Sequence, residues 1–273
     1  MPTSIHPTAI VDSSAELGAD VQVGPFCLVD AGARLGDGCV LHAYVHICSS
    51  ATLGQANVVH SHACLGDTPQ HLGYKGEPTT LVVGDRNEIR EFVTLHRGTV
   101  QGHSETRVGS DNLFMAYSHV AHDCTIGNHN ILANAVNLAG HVEIGNYVVV
   151  SGMAAVEQFL RIGDYAFLGG ASGYNLDIPP YMLAHGVRGK LFGPNVIGLR
   201  RRGFTKEAIQ GLRKAYKIIF RSGLSREESL NRVAEEISGV PEVTVLTDFI
   251  RASQRGVAPD YHKNGNGNGC AEA

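Results

Sequence analysis

The chain has 273 residues, of which 43% are hydrophobic and 33 are Gly, with 9 Phe, 9 Tyr and no Trp. This composition favours small aliphatic repeats over a globule packed around aromatic rings, and the length is sufficient to bury a core. No run of 18 apolar residues occurs, and the first seven residues lack the basic and apolar regions of a secretory signal, so we expect a soluble, cytoplasmic protein.

The net charge of -4 conceals an uneven distribution along the chain. Residues 1–187 carry 7 Lys+Arg against 17 Asp+Glu, whereas residues 188–232 carry 12 against 3. A basic segment of that density in an acidic chain suggests an anionic partner, although a solvated helix face explains the charge equally well.

Aliphatic residues recur at every sixth position over much of the chain, and Gly follows many of them. They are Ile5, Val11, Leu17, Val23, Val29, Leu35, Leu41, Ile47, Leu53, Val59 and Leu65 in a first run, Val83, Ile89 and Leu95 in a second, and Val108, Phe114, Val120, Ile126, Leu132, Leu138, Ile144, Val150, Val156, Ile162 and Leu168 in a third. A period of six fits neither an α-helix nor a β-meander. It fits a three-sided prism in which each hexad forms one short strand and one turn.

The sequence therefore predicts a mainly β protein, a left-handed parallel β-helix of hexapeptide repeats over residues 5 to about 172. Residues 67–80 and 96–107 leave the repeat, so we expect them to loop outward, where insertions in repeat proteins often form a binding face.

Helical patterns follow the repeat and predict a C-terminal α-helical cap. One helix begins after Thr205 and ends near Gly223, a second begins with the capping box Ser225–Glu228, and Pro241 begins a third. We divide the chain into a β-helix at 1–187, a helical domain at 188–256 and a disordered tail at 257–273.

The six cysteines form no CxxC pair and show no metal-ligand spacing. They are Cys27, Cys39, Cys48, Cys64, Cys124 and Cys270. We interpret them as small apolar residues of the core or, at the tail, as an exposed thiol. The sequence thus predicts no metal site and no cofactor.

Five segments of the sequence are especially distinctive: GEPTTLVVGDRNEIRE (76–91), TLHRGTVQG (94–102), AHDCTIGN (121–128), ILANAVNLAGHV (131–142) and NVIGLRRRGF (195–204). Through them, and through the repeat and the helices, residues 5–256 resemble the UDP-N-acetylglucosamine O-acyltransferase family. The resemblance implies transfer of a 3-hydroxyacyl group from acyl carrier protein to the 3-position of a UDP-sugar, at the start of lipid A synthesis. It also implies a homotrimer with active sites between neighbouring coils, and no nucleic acid partner.

The resemblance assigns catalytic roles to three residues. His122 matches the general base, Asp123 would orient the imidazole, and Gly140 matches the position whose backbone N–H faces the thioester oxygen. Acyl transfer to a hydroxyl requires these two functions, a base near neutral pH and a donor to the oxyanion.

Nine further residues match substrate-binding positions of the family. They are Gln70, His71, His96, His119, His141, Gln158, Gly170, Asn195 and Arg201. Asn195 and Arg201 match residues near the nucleotide, and Gly170 matches the position that limits acyl length, where Gly predicts a longer chain. Arg200 and Arg202 lack such a match and could instead face the acidic acyl carrier protein.

The chain departs from the family at four positions. His71 stands where the family has an acidic residue, Gly73 where it has Lys, Glu157 where it has His, and Ile197 where it has a polar residue. The first change raises the hypothesis of a 3-amino sugar acceptor, although the hydroxyl sugar is favoured.

Three other functions remain open from the residues alone. A zinc lyase similar to γ-class carbonic anhydrase would need convergent imidazoles, for which His96, His119, His122 and His141 are candidates. A non-catalytic trimeric scaffold and a CoA-dependent sugar acetyltransferase are the others.

Overall fold

The computed structural model describes residues 2–264, and most of them belong to a three-sided coil of short parallel strands joined by turns. The first sheet contains Ser4–Ile5, Gln22–Val23, Val40–Leu41, Val58–Val59, Glu88–Ile89, Leu113–Phe114, Ile131–Leu132, Val149–Val150, Phe167–Leu168, Met182–His185 and Lys190–Pro194. The second contains Ile10–Val11, Leu28–Val29, His46–Ile47, Cys64–Asp67, Thr94–His96, His119–Val120, Asn137–Leu138, Ala155–Val156 and Gly173–Tyr174. The third contains Glu16–Leu17, Arg34–Leu35, Ala51–Leu53, Thr80–Val83, Glu105–Val108, Thr125–Ile126, Glu143–Ile144 and Arg161–Ile162. The predicted left-handed parallel β-helix is confirmed.

The strands pair in a register that follows the hexads. Val23 pairs with Leu41, one coil of eighteen residues further along. The hydrophobic residues at the sixth positions of the repeat are all buried from Val23 to Leu168. This row of side chains, the spine, forms the axis of the coil. The positions two residues earlier also point inward, and Cys27, Cys39 and Cys124 among them are fully buried. These three cysteines are core residues, as predicted.

A buried ladder of asparagines lines one corner. Oδ1 of Asn57 accepts the backbone N–H of Asn87 at 2.9 Å, Oδ1 of Asn87 accepts that of Asn112 at 2.9 Å, and Oδ1 of Asn112 accepts that of Asn130 at 2.8 Å. Corner backbone groups have no neighbour in a strand, and a buried N–H without a partner is costly. The ladder supplies the missing acceptors from one coil to the next.

Two loops leave the coil between strands of the second and third sheets. They cover residues 68–79 and 97–104, slightly shorter than the predicted excursions, because the flanking strands Cys64–Asp67 and Thr94–His96 run on to the corner. The coil resumes its register after each loop: Val59 pairs with Ile89 and Ile89 with Phe114.

The C-terminal part contains four helices. They are α1 (Val196–Arg201), α2 (Lys206–Arg221), α3 (Arg226–Glu236) and α4 (Pro241–Ala252), followed by a 3-10 turn at Tyr261–Asn264. The N-cap at Thr205, the capping box of Ser225 with Glu228 and Pro241 at the first turn of α4 are as predicted. The sequence did not predict α1, because six residues are too few to show a helical period.

The helices pack on the last coils. Tyr216 of α2 donates a hydrogen bond to the carbonyl of Leu191 at 3.0 Å, and Ser253 donates one to Asp177 at 2.8 Å. The strands Met182–His185 and Lys190–Pro194 form an antiparallel hairpin on the first sheet. The predicted boundary at 187/188 therefore lies within this hairpin.

The prediction of a disordered tail from residue 257 is wrong for residues 257–264. Val257 forms a bridge with Asp177, and Asp260 forms one with Leu191. Asp260 also binds Arg221 through a 2.6 Å hydrogen bond, which fixes this segment to α2. Residues 265–273, including Cys270, lie outside the described residues. Across residues 2–264 the longest helices are too short or too polar to cross a membrane.

The asparagine ladder yields a prediction about stability. Replacing Asn87 with Leu removes two donors and one acceptor and leaves the N–H of Asn112 buried without a partner. We expect a loss of about 2–4 kcal/mol in the free energy of unfolding, measured by urea denaturation. Asn231→Ala on the exposed side of α3 is the control, and it should change stability by less than about 0.5 kcal/mol. Equal stabilities of the two variants would contradict the ladder's role.

Candidate functional site

A cleft of about 820 Å³ runs along the second sheet. Its wall combines the first loop, residues of four successive strands of the second sheet and the segment after Tyr174. Among the predicted site residues it is lined by Gln70, His71, His119, His122, Gly140 and Gln158. His122, Gly140 and Gln158 meet there because each is eighteen residues, or one coil, from the next, and the first loop adds Gln70 and His71.

His122 and Asp123 form the most polar contact of this cleft. Nδ1 of His122 lies 2.8 Å from Oδ2 of Asp123, and both residues are buried. Side chains of adjacent residues point to opposite faces of a strand, but these two lie in a corner. Asp123 has φ of 60°, in the left-handed region, and this turn directs its carboxylate to the neighbouring imidazole.

The second loop holds the carboxylate of Asp123 in place. Thr99 donates its hydroxyl at 2.6 Å and its backbone N–H at 3.0 Å, and the backbone N–H of His103 donates at 2.9 Å. Burial alone would raise the pKa of Asp123, but these bonds and that from His122 stabilise the anion, and the net effect is a lowered pKa. The aspartate is therefore ionised beside the imidazole.

Thr99 and His103 were not singled out from the sequence. The segment TLHRGTVQG contains Thr99, but a loop outside the repeat has no register from which its contacts could be derived.

Gly140 lies against the ring of His122. A Cβ at this position would lie 2.6 Å from Cε1 and 2.9 Å from Nε2 of the imidazole. Any side chain would therefore displace the ring, so glycine is required where the imidazole faces the cleft.

Two more imidazole rings lie beside that of His122. The rings of His71 and His141 each lie 5.2 Å from it, centroid to centroid, in edge-on arrangements. Burial lowers the pKa of His141, so this ring is predominantly neutral near pH 7. Nε2 of His141 lies 3.8 Å from Asp123.

His96, from the preceding coil, and His119, three residues before His122, form a second pair with ring centroids 4.9 Å apart. Burial, with a smaller contribution from His96, lowers the pKa of His119 to about 4. Nδ1 of His119 bonds to the hydroxyl of Thr94 at 2.7 Å. Burial also lowers the pKa of His96. Both rings are therefore neutral hydrogen-bonding groups near pH 7.

The predicted nucleotide residues line a different cleft, of about 610 Å³, on the first sheet. Arg201 is exposed at its edge, and Asn195 caps α1 by accepting the N–H of Gly198 at 3.2 Å. Tyr147 and Tyr165 form its floor, and the guanidinium of Arg202 lies 4.7 Å above the ring of Tyr147. Within one chain, these residues and His122 thus occupy separate faces.

Gly170 lies at the far corner of the second sheet, away from the His122 corner. A Cβ there would lie 2.8 Å from the carbonyl oxygen of Gly152. A side chain at this position would therefore meet the backbone of the preceding coil, and the role of Gly170 in limiting acyl length stays a prediction. The cleft wall at this end includes Gly173, where an added Cβ meets nothing within 4 Å.

Within one chain, the candidate zinc ligands of a carbonic-anhydrase-like site do not converge. Among residues 2–264, the donor atoms around His122 that lie within 4.8 Å of one another come from His122, Asp123 and His141. His96 and His119 are not in that group, so three imidazoles do not meet at one point.

Comparison with known proteins gives a consistent result. The profile described as "Udp N-acetylglucosamine O-acyltransferase; Domain 2" matches residues 177–258, and that of the bacterial transferase hexapeptide matches residues 105–140. The chain is 48% identical over 255 residues to the acyl-[acyl-carrier-protein]–UDP-N-acetylglucosamine O-acyltransferase of Halorhodospira halophila, covering 93% of this chain and 99% of that protein.

Solved structures agree with this result. LpxA from Acinetobacter baumannii is 45% identical, with a TM-score of 0.91 over 93% of this chain and 99% of that one. The UDP-N-acetylglucosamine O-acyltransferase of Moraxella catarrhalis is 43% identical, with the same TM-score and coverage.

The lowered pKa of His119 predicts how stability responds to acid. Between pH 6.5 and about 4 the unfolded chain binds a proton at this residue and the folded chain does not, so stability falls as the pH falls through this range. His119→Gln keeps a polar side chain but removes the titration. We expect the loss of unfolding free energy from pH 7 to 4 to be smaller in the variant by about 1–2 kcal/mol, after allowance for partial exposure. Identical losses in the two proteins would contradict the assignment.

Proposed function

Because this chain belongs to the UDP-N-acetylglucosamine O-acyltransferase family, we propose that it transfers a 3-hydroxyacyl chain from acyl carrier protein to the 3-position of UDP-N-acetylglucosamine, the first step of lipid A biosynthesis. The observation that carries the proposal is the 2.8 Å contact between His122 Nδ1 and Asp123 at the wall of the cleft. With Nδ1 protonated and bonded to a carboxylate, Nε2 is free to accept a proton from a substrate hydroxyl.

His122 is the general base of the proposed reaction. The 3-hydroxyl attacks the thioester carbonyl while Nε2 takes its proton, and the ionised Asp123 stabilises the imidazolium that forms. The intermediate then collapses, the carbon–sulfur bond breaks, and the imidazolium returns the proton to the leaving thiolate. Asp123 acts through the imidazole and is a positioning residue.

The other cleft residues bind rather than react. The backbone N–H of Gly140 is the proposed donor to the thioester oxygen, and its missing side chain permits close approach. His119, neutral near pH 7, borders the cleft and suits hydrogen bonds to sugar hydroxyls. His96 and His141 do not line this cavity, and their rings pack against those of His119 and His122 respectively, so we propose that they position those two rings. Gln70, His71 and Gln158 border the same cavity.

We propose a cytoplasmic homotrimer, supported by the separation of the two clefts. The residues assigned to the nucleotide, Asn195 and Arg201, lie on the first sheet, whereas His122 lies at the edge of the second. One nucleotide sugar could contact both sets if the first sheet of one chain faces the His122 cleft of its neighbour. Arg suits the diphosphate because its planar group bonds two oxygens at once.

The basic segment 188–232 supports docking of acyl carrier protein. Arg200, Arg201 and Arg202 are exposed around the C-terminal end of α1, and Arg213 and Lys217 are exposed on α2. An acidic carrier would be steered to this surface, and mutation of such exposed charges typically changes association rate more than affinity.

The 3-amino sugar is the alternative acceptor, because His71 replaces the acidic residue of the family. The ring of His71 borders the cleft 5.2 Å from that of His122, so it lies near the reacting group of the acceptor. Such an acceptor would attack the thioester as the neutral amine, because an ammonium has no lone pair to donate.

A product assay tests the proposed reaction. Purified protein is given equal amounts of UDP-N-acetylglucosamine and its 3-amino analogue, with a mixture of hydroxyacyl carrier proteins of several lengths, and the products are identified by mass spectrometry. We expect the ester of the hydroxyl sugar to predominate. Predominance of the amide would establish the alternative acceptor, and acylation from acetyl-CoA alone would overturn the proposed donor.

Variants test the roles of His122 and Asp123 in the same assay. His122→Ala should lower kcat at least about hundredfold. Asp123→Asn should lower kcat less and change the pH profile of kcat, because the imidazolium loses its stabilising charge. Asp111→Asn is the matched control, since Asp111 also occupies a corner with φ of 60° and pairs with Arg86 away from the cleft. Equal effects of the two aspartate variants would contradict the positioning role.

The proposed reading of acyl length at Gly170 has its own test. Gly170→Met should shift preference toward shorter hydroxyacyl donors, and Ala171→Met at the exposed neighbouring position is the control. Because an added Cβ approaches Gly152, the thermal midpoints of both variants are measured as well. Unchanged donor preference in a folded Gly170→Met variant would overturn the assignment.

A further inference from the structure

Two groups of potential metal ligands occur among the described residues. One is His122, Asp123 and His141, and the other lies on the second sheet, nearer the N-terminus than the proposed acyl-transfer site. Ligand atoms of His46, Cys48 and Cys64 all lie within 4.8 Å of one another. None of these residues borders the His122 cleft, and the proposed acyl transfer uses none of them.

The coil brings these three residues together. His46 pairs in register with Cys64, eighteen residues and one coil later. Cys48 is two residues beyond His46, so it lies on the same side of the strand. Cys48 is also tied to the next coil, because its backbone N–H donates to the carbonyl of Leu65 at 2.9 Å. The ligand spacing is therefore set by the coil and not by a local CxxC motif, which is why the sequence did not predict a metal site.

The distance between the thiols fits one tetrahedral metal ion. The Sγ atoms of Cys48 and Cys64 are 3.8 Å apart. Two thiolates bound to tetrahedral zinc at about 2.3 Å lie about 3.8 Å apart, whereas a disulfide requires about 2.05 Å. A metal ion could thus be held by two thiolates at this separation, whereas a disulfide would require the two sulfurs to move about 1.8 Å closer together.

The other cysteines show what a structural thiol looks like in this fold. Those of Cys27, Cys39 and Cys124 point into the axis, and each donates to a backbone carbonyl at 2.8, 3.0 and 3.2 Å respectively. In contrast, Cys48 and Cys64 contact each other, and Cys64 is partly exposed.

Two carboxylates complete the surroundings. Asp30 lies 3.0 Å from Nε2 of His46, so one ring nitrogen could bond to a carboxylate while the other binds a metal, an arrangement in which a carboxylate orients a metal-bound imidazole. Oδ2 of Asp67 lies 4.0 Å from Sγ of Cys64 but is not within 4.8 Å of all three other ligand atoms, so its carboxylate would have to turn toward the ion to provide a fourth ligand.

We propose that His46, Cys48, Cys64 and Asp67 form a tetrahedral zinc site that links two successive coils. Two thiolates, one imidazole and one carboxylate are ligands that zinc accepts, and the thiolates disfavour Mg²⁺ and Ca²⁺. Asp67 is the last strand residue before the loop 68–79, which carries Gln70 and His71 to the cleft. Zinc would fix the base of this loop.

Metal binding to the full chain tests the proposal. Protein reduced and freed of metal is titrated with Zn²⁺ against a chromophoric chelator, and with Co²⁺ for its absorption spectrum. We expect one equivalent of Zn²⁺ per chain, a thiolate-to-cobalt charge-transfer band and a raised thermal midpoint with Zn²⁺. Cys48→Ser and Cys64→Ser should each weaken Zn²⁺ binding at least tenfold and abolish the band.

Cys27→Ser is the matched control, because it removes an axial thiol that has a backbone partner and should leave the titration unchanged. Binding of Co²⁺ without the charge-transfer band would show that no thiolate is a ligand and would overturn the proposal. The proposal would also fail if the reduced protein binds no Zn²⁺ and the oxidised protein lacks two hydrogens, since the pair would then be a disulfide. None of these readouts requires acyltransferase activity, so they are independent of the proposed reaction.

Discussion

The inward-facing aliphatic residue of each hexad is the constraint on which the rest of the structure depends. Each such side chain is worth about 1.5–3 kcal/mol on burial, and a shift by one residue would expose the entire row. The row therefore fixes the register of every coil on the next. Once that register is set, any two positions eighteen residues apart in an uninterrupted stretch are stacked neighbours, so the spine also decides which outward side chains can meet.

This explains which parts of the molecule could be predicted from sequence. The coil, its axis and the caps of α2, α3 and α4 follow from local periods and local hydrogen bonds. The contacts of Thr99 with Asp123, the helix α1 and the hairpin after Tyr174 do not, because they depend on a loop without a period or on segments of a few residues. The ordered structure of residues 257–264 could not be predicted from the sequence, because it depends on bridges with the distant residues Asp177 and Leu191.

The proposed catalytic pair, His122 and Asp123, lies at a corner rather than in a strand. A strand of two residues has one outward side chain, and that side chain packs against the outward side chains of the strands before and after it in the sheet. A corner offers left-handed backbone conformations, and at Asp123 this brings two consecutive side chains into contact, which a strand would prevent. The family motif AHDC thus encodes a turn geometry as well as two reactive groups. The resemblance predicted His122 and Asp123 from the sequence. The contact between their side chains depends on the turn and could not be predicted.

A straight prism is convex on every face, and convexity limits what one copy can do. Its first loop and the segment after Tyr174 give the His122 cleft two walls, and the hairpin with α1 gives the first sheet another partial cleft. The residues proposed for the reacting group and for the diphosphate lie on different faces, so the proposed binding mode places two chains side by side. Assembly is then part of the chemistry, because the imidazole and the phosphate-binding arginine would belong to different copies.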